Sequence, residues 1–214
     1  MRRIEKRIAA LLAVSMLLSL TACGGKDKTN SKTDTTTAAE TTAASEETPQ
    51  TESAETETAK TVGTYADGTF DCEYYSVTVD EKKWGYTEGS EMDCLFNYIE
   101  KPDDTIYSAS SLNVASFSEE TMGGLTVSDY AEQMLSTYKD IEGYEVSQKD
   151  SELDGQKGVE ITINFPMGES RMTIKQLIVS KNGAVVAVSY GAMDDIYEKM
   201  QKQFDEVIGG IKLK

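Results

Sequence analysis

Two dipeptides, Asp154-Gly155 and Asn182-Gly183, constrain the fold of this chain more tightly than any other feature. Asp, Asn and Gly reach the left-handed backbone that both central positions of a type I′ turn require, and such a turn between alternating segments specifies an antiparallel hairpin. The flanks alternate as a hairpin demands, 144–153 with 156–165 and 171–180 with 183–190. Four meandering strands are therefore expected. The turns also fix the register, because a slip of one residue would send every apolar side chain to the wrong face.

Helical spacing brackets this meander. Thr126 and Asp129 resemble a capping box with Asp in place of Glu, and Val127, Tyr130, Ala131, Met134, Leu135 and Tyr138 then recur at intervals of three and four. A last helix starts near Asp194 and carries Ile196, Met200, Phe204, Val207 and Ile208 on one side, with Gly209 as its expected stop. Upstream, 70–80 and 92–100 read as strands joined by a polar, Gly-containing connection that holds Trp84, and 108–117 reads as a third. Strands, a helix, four strands and a helix describe an α+β domain, an antiparallel meander sheet covered by helices.

This domain occupies 62–214, and what precedes it has a different composition. Residues 24–61 contain no Val, Ile, Leu, Met, Phe, Trp or Tyr, so they are expected to form a disordered, Thr/Glu/Ala-rich tether. Before the tether, Arg2, Arg3, Lys6 and Arg7 lead into an apolar run, 8–20, that is too short to span a bilayer. The run closes on Leu20-Thr21-Ala22-Cys23, which reads as a lipobox: residues 1–22 form a signal peptide, and Cys23 becomes the first mature residue, anchored through a diacylglyceryl thioether. Two acyl chains hold a protein stably at a bilayer where one is marginal. The expected location is the extracytoplasmic face of a bacterial cell membrane.

Charge and composition narrow the function. Removing residues 1–22 takes the formal charge from −16 to −19, which argues against nucleic acid as a partner. The chain has no histidine, so Ser-His-Asp and Cys-His nucleophile arrangements are excluded. With Cys23 acylated, Cys72 and Cys94 remain. An even pair outside the membrane admits a disulfide, but the two lie at different distances from the turn between their strands, which favours two separate core thiols.

Other candidates have plain structural readings beside the functional ones. Asp194-Asp195 as a carboxylate pair competes with capping and dipole complementation at a helix start. Asp103-Asp104 follows Lys101-Pro102 in a loop and supplies too few oxygens for calcium. Gly123-Gly124 reads as a chain reversal rather than an anion site. Of Tyr74, Tyr75, Tyr86, Tyr98, Tyr107 and Tyr144, some must face the core, and the rest are candidates for a binding groove. No catalytic, metal or cofactor site is expected.

The order of elements, together with YYSVTVDEKKW, LDGQKGVEITINF, MTIKQLIVSKNGAVVAVSYGA and FDEVIGGIKLK, resembles the PsbP-like domains of bacterial lipoproteins, related in fold to PsbP and Mog proteins. The resemblance covers about residues 66–214 and rests on turns and core positions. Gly209-Gly210 departs from it, standing where a small polar residue is more usual. It implies a PsbP-like fold and no particular activity. The expected function is a non-catalytic binding or accessory module of the envelope with a protein or peptide partner. The alternatives are a hydrolase working with two carboxylates, and a solute-capture lipoprotein of a transporter, for which about 150 folded residues leave no second lobe.

Overall fold

The computed structural model describes residues 63–89, 92–101 and 104–214. The signal peptide, Cys23, the tether and Asp103 lie outside the described residues. In chain order the strands are β1 (Thr64–Ala66), β2 (Thr69–Asp71), β3 (Tyr75–Thr78), β4 (Trp84–Glu88), β5 (Cys94–Tyr98), β6 (Ser111–Ser118), β7 (Glu145–Leu153), β8 (Gln156–Met167), β9 (Ser170–Lys181), β10 (Ala184–Met193) and β11 (Ile211–Leu213). The helices are α1 (Thr105–Ser108), α2 (Val127–Ser136) and α3 (Asp194–Gly209), with a 3₁₀ turn at Glu119–Met122.

Both glycine turns form as their sequence requires. Asp154 and Gly155 have φ of 48° and 74°, Asn182 and Gly183 of 53° and 81°, and β7 to β10 pair antiparallel in the register that these turns set. The expected single sheet is instead two. One has the order β4-β5-β6-β10-β9-β8-β7, and a smaller one has the order β1-β2-β3-β11. The segment 70–80 splits because Cys72–Tyr74 turn the chain, so its halves pair with each other: Phe70 lies opposite Val77.

The large sheet is buried on both faces. Along β10, Val186, Val188, Tyr190 and Ala192 enter one core, while Val185 and Ala187 enter another on the opposite face. The first core takes Ile196, Met200, Phe204 and Val207 from α3 and Phe70, Tyr75, Val77, Ile211 and Leu213 from the small sheet. The second takes Tyr130, Ala131, Met134 and Leu135 from α2 against Val159, Ile161, Ile163 and Ile178. One helix thus covers each face of a sheet-dominated domain. At the start of α2, Thr126 and Asp129 make the reciprocal capping box.

Two further expectations are corrected. Trp84 is the first residue of β4 rather than part of a connection; it is 2% exposed and packs against Tyr98 and Phe204. Gly209 is the last residue of α3 instead of its stop, and Gly210 caps the helix with an ordinary φ of −81°. The chain then forms β11, which no periodicity announces because it has three residues. Its carbonyls and amides are clasped by the two turns: Leu213 N donates to Asp154 Oδ2 at 3.0 Å, Lys181 Nζ donates to Leu213 O at 2.9 Å, and Asn182 Nδ2 donates to Lys214 O at 3.0 Å.

Candidate binding strip on the large sheet

On the α3 face, the strands beyond the helix change from apolar to polar. Glu160 on β8 lies opposite Lys149 on β7 and Leu177 on β9, and its neighbours on that face are Thr162, Asn164, Thr173 and Lys175. Glu160 is 8% exposed, so its charge must be compensated locally. Lys149 Nζ stands 2.9 Å and Lys175 Nζ 3.7 Å from Oε1, and Tyr190 Oη donates to Oε2 at 3.1 Å. Lys149 approaches outside hydrogen-bonding geometry, which leaves Oε1 with an ionic partner but no hydrogen-bond donor.

Tyr197 of α3 completes this arrangement. Lys175 Nζ lies 5.3 Å from its ring centroid, and its buried Oη has no hydrogen-bond partner. Burial, and then the Glu160 charge, push the Tyr190 and Tyr197 hydroxyls well above their usual range, so both remain donors at neutral pH. The group thus combines a fixed carboxylate, two ammonium groups and two phenol hydroxyls.

The same strip continues to the start of α3. Asp194 accepts from Thr173 Oγ1 at 2.6 Å and from Asn164 Nδ2 at 2.9 and 3.0 Å, while Arg171 bonds Asn164 and donates to Gly143 O at 2.9 Å. Asp194 therefore ties α3 to the sheet rather than capping it with its side chain. Met193 is the N-cap and has no side-chain bond there; Asp195 is exposed.

The remaining sequence candidates fall elsewhere. Gly123 and Gly124, at φ of 66° and 86°, end the 3₁₀ turn and reverse the chain towards Thr126. Asp104 is exposed. Tyr75 and Tyr98 are buried in the first core, Tyr74, Tyr86 and Tyr107 pack partly buried against it, and Tyr144 stacks on Tyr138 and Phe165 at the second. Cys72 and Cys94, the candidate disulfide pair, are two free buried thiols. Among the described residues, no three His, Cys, Asp or Glu side chains are grouped as a metal site requires.

Two polar groups were not singled out from sequence. Asp93, 5% exposed, accepts from Ser116 Oγ at 2.6 Å and Tyr75 Oη at 3.2 Å, and this Oη is 3.6 Å from Cys94 Sγ; the contacts join the small sheet to the large one. On the α2 face, Gln176 Nε2 donates to Ser189 Oγ at 2.8 Å. Nothing local marks either group, since an isolated acid or amide in a strand reads as solvent-facing until the opposite layer is known.

No family model matches the chain, and no curated protein matches it. Solved structures do resemble it. LpqN of Mycobacterium tuberculosis, described as involved in cell envelope biogenesis, is 14% identical at a TM-score of 0.47, over 65% of this chain and 83% of that one. Cyanobacterial PsbP from Synechocystis is 13% identical at 0.45, over 73% and 94%. The Ran-binding protein Mog1p of Saccharomyces cerevisiae is 8% identical at 0.41, over 65% and 89%. These are likenesses of fold, and no activity is carried over from them.

Proposed function

We propose that this chain is a lipid-anchored binding module on the extracytoplasmic face of a bacterial membrane, without catalysis of its own, and that the strip around Glu160 receives a protein or peptide partner. The observation that carries this reading is the lipobox at Cys23 followed by 38 residues with no core-forming side chain. A disordered tether of that length has a mean reach of roughly 35 Å, which holds a domain at a bilayer while leaving its surface free to dock. The strip supports the binding part, because the ammonium groups of Lys149 and Lys175, on side chains 64% and 20% exposed, offer donors to the backbone or side chains of a partner.

A photo-crosslinking residue placed at Thr162 in the membrane-tethered protein tests this, with the same residue at exposed Glu132 on α2 as control. A discrete adduct with a different protein at 162, weakened by Lys175→Glu and absent at 132, is the expected result. No adduct at 162, or equal labelling at both positions, overturns the assignment of the strip.

A further inference from the structure

Among the described residues, β7 is an edge strand of nine residues, hydrogen-bonded in its sheet to β8 alone. Proteins usually blunt such an edge with charged side chains, a proline, a bulge or extreme shortness. β7 has neither proline, bulge nor shortness: EVSQKDSEL contains no proline, and its pairing with β8 runs one-to-one from Glu145 opposite Asn164 to Leu153 opposite Gln156. What it does carry is charge, and the pattern of charge selects a partner.

Two copies of one edge join antiparallel about a two-fold axis perpendicular to the sheet, and the residue on that axis meets its own copy. An axis at Lys149, Asp150 or Glu152 sets like charges face to face, and one at Ser151 sets Asp150 against Glu152. Val146 or Gln148 on the axis pairs no opposite charges. At Ser147 alone does Lys149 face Glu145 of the partner subunit, twice by symmetry, with Val146 facing Gln148 of the partner subunit.

The backbone phase agrees. In a two-residue hairpin the pair flanking the turn exchanges hydrogen bonds, so Leu153 and every second residue back to Glu145 point their amides at β8, while Val146, Gln148 and Asp150 point theirs outward. An axis at Ser147 then makes Ser147 a non-hydrogen-bonded pair and Val146 with Gln148 a bonded one; every axis on β7 keeps such alternation, so the charges alone select Ser147. Side chains approach closest in non-bonded pairs, and these include Lys149 with Glu145. Lys149 and Glu145 are 64% and 79% exposed, and to pair across the axis they exchange their present partners, Glu160 at 2.9 Å and Arg171 at 3.2 Å.

We infer that two copies of this chain join antiparallel through β7, with Ser147 on the axis and Lys149 facing Glu145 of the partner subunit. Lys149 also borders the Glu160 strip, so the two strips become one continuous polar surface. Anchoring to one membrane raises the effective concentration that such an edge contact needs.

Mild oxidation of full-length, membrane-tethered Ser147→Cys tests the register, with Glu152→Cys and the unmodified chain as controls. Sedimentation equilibrium of the full-length chain in detergent tests the charges. Expected are a disulfide-linked dimer for Ser147→Cys well above both controls and dimerisation weakened at least about tenfold by Glu145→Lys. Glu145→Lys leaves the Glu160 ion pairs intact but removes the Arg171 pair at 3.2 Å, so a urea midpoint equal to that of the unmodified chain shows that a lost dimer is not a lost fold. A monomer at every concentration overturns the inference, as does a dimer indifferent to Glu145→Lys or cross-linked equally at position 152. None of these outcomes bears on the adduct at Thr162, which reports a different protein.

Discussion

Glu160 keeps a charge between a helix and a sheet because three neighbours share its compensation. Removing the carboxylate strands the Tyr190 hydroxyl and leaves two lysines facing each other, so Glu160→Ala should destabilise the domain by about 1–3 kcal/mol. Glu160→Gln, which keeps an acceptor for Tyr190, should cost less; urea melts showing equal losses would contradict this account of the site. Trp84 packs against Tyr98 and Phe204, and Trp84→Ala should cost about 3–5 kcal/mol in the same assay. A loss below 1 kcal/mol would mean that β4 does not anchor the first core. Cys94 gives a pH signature: burial pushes its thiol from 9.0 to about 12, and burial with the Glu81 hydrogen bond pushes Tyr65 from 10.0 to about 12. A raised value means that the fold favours the neutral form. This stabilisation is complete below pH 9 and is lost as pH rises from there towards 12. Cys94→Ala should therefore flatten the fall of the urea midpoint above pH 9, and an unchanged slope would place the alkaline loss elsewhere.

At the scale of elements, the two type I′ turns act twice, first as hairpin closures and then as clamps on β11. The Leu213 amide, followed by the Lys212 ammonium 3.1 Å away, holds the Asp154 carboxyl below its usual 3.8. A depressed value means that the stabilisation is present above the unfolded value and disappears as pH falls through the folded one. Below about pH 4, the β11 amides should thus lose hydrogen-exchange protection before those of β9 and β10, and protection of β11 that is independent of pH from 7 to 3 would exclude Asp154 as the clamp. The hairpins, the α2 cap and the core face of α3 were legible because turn chemistry and periodicity are local. Asp67-Gly68 is the same kind of turn between β1 and β2, with Asp67 at φ 50°, yet its three-residue flanks are too short for their alternation to stand out. β11 was missed for the same reason. Glu160 was illegible for another: in VEITINF the residues 159, 161 and 163 alternate with polar ones, which marks 160 as solvent-facing, and the approach of α3 to that face is not encoded within β8.

The described domain is a large sheet with a helix on each face and a second small sheet that shares the α3-side core, and no described helix is long and apolar enough to cross a membrane. The expectation of helices over one meander was too coarse because β3 pairs with β11 across nearly the whole domain, a contact that sequence order hides. The proposed membrane attachment depends on Cys23, which precedes the described residues. Mass spectrometry of the N-terminal peptide from protein extracted out of native membranes is the most direct test. The mature chain should begin at Cys23 carrying a diacylglyceryl group, and Cys23→Ala should release or misprocess it. A mature N-terminus at any other residue, or an unacylated Cys23 in membrane-bound protein, would contradict the account.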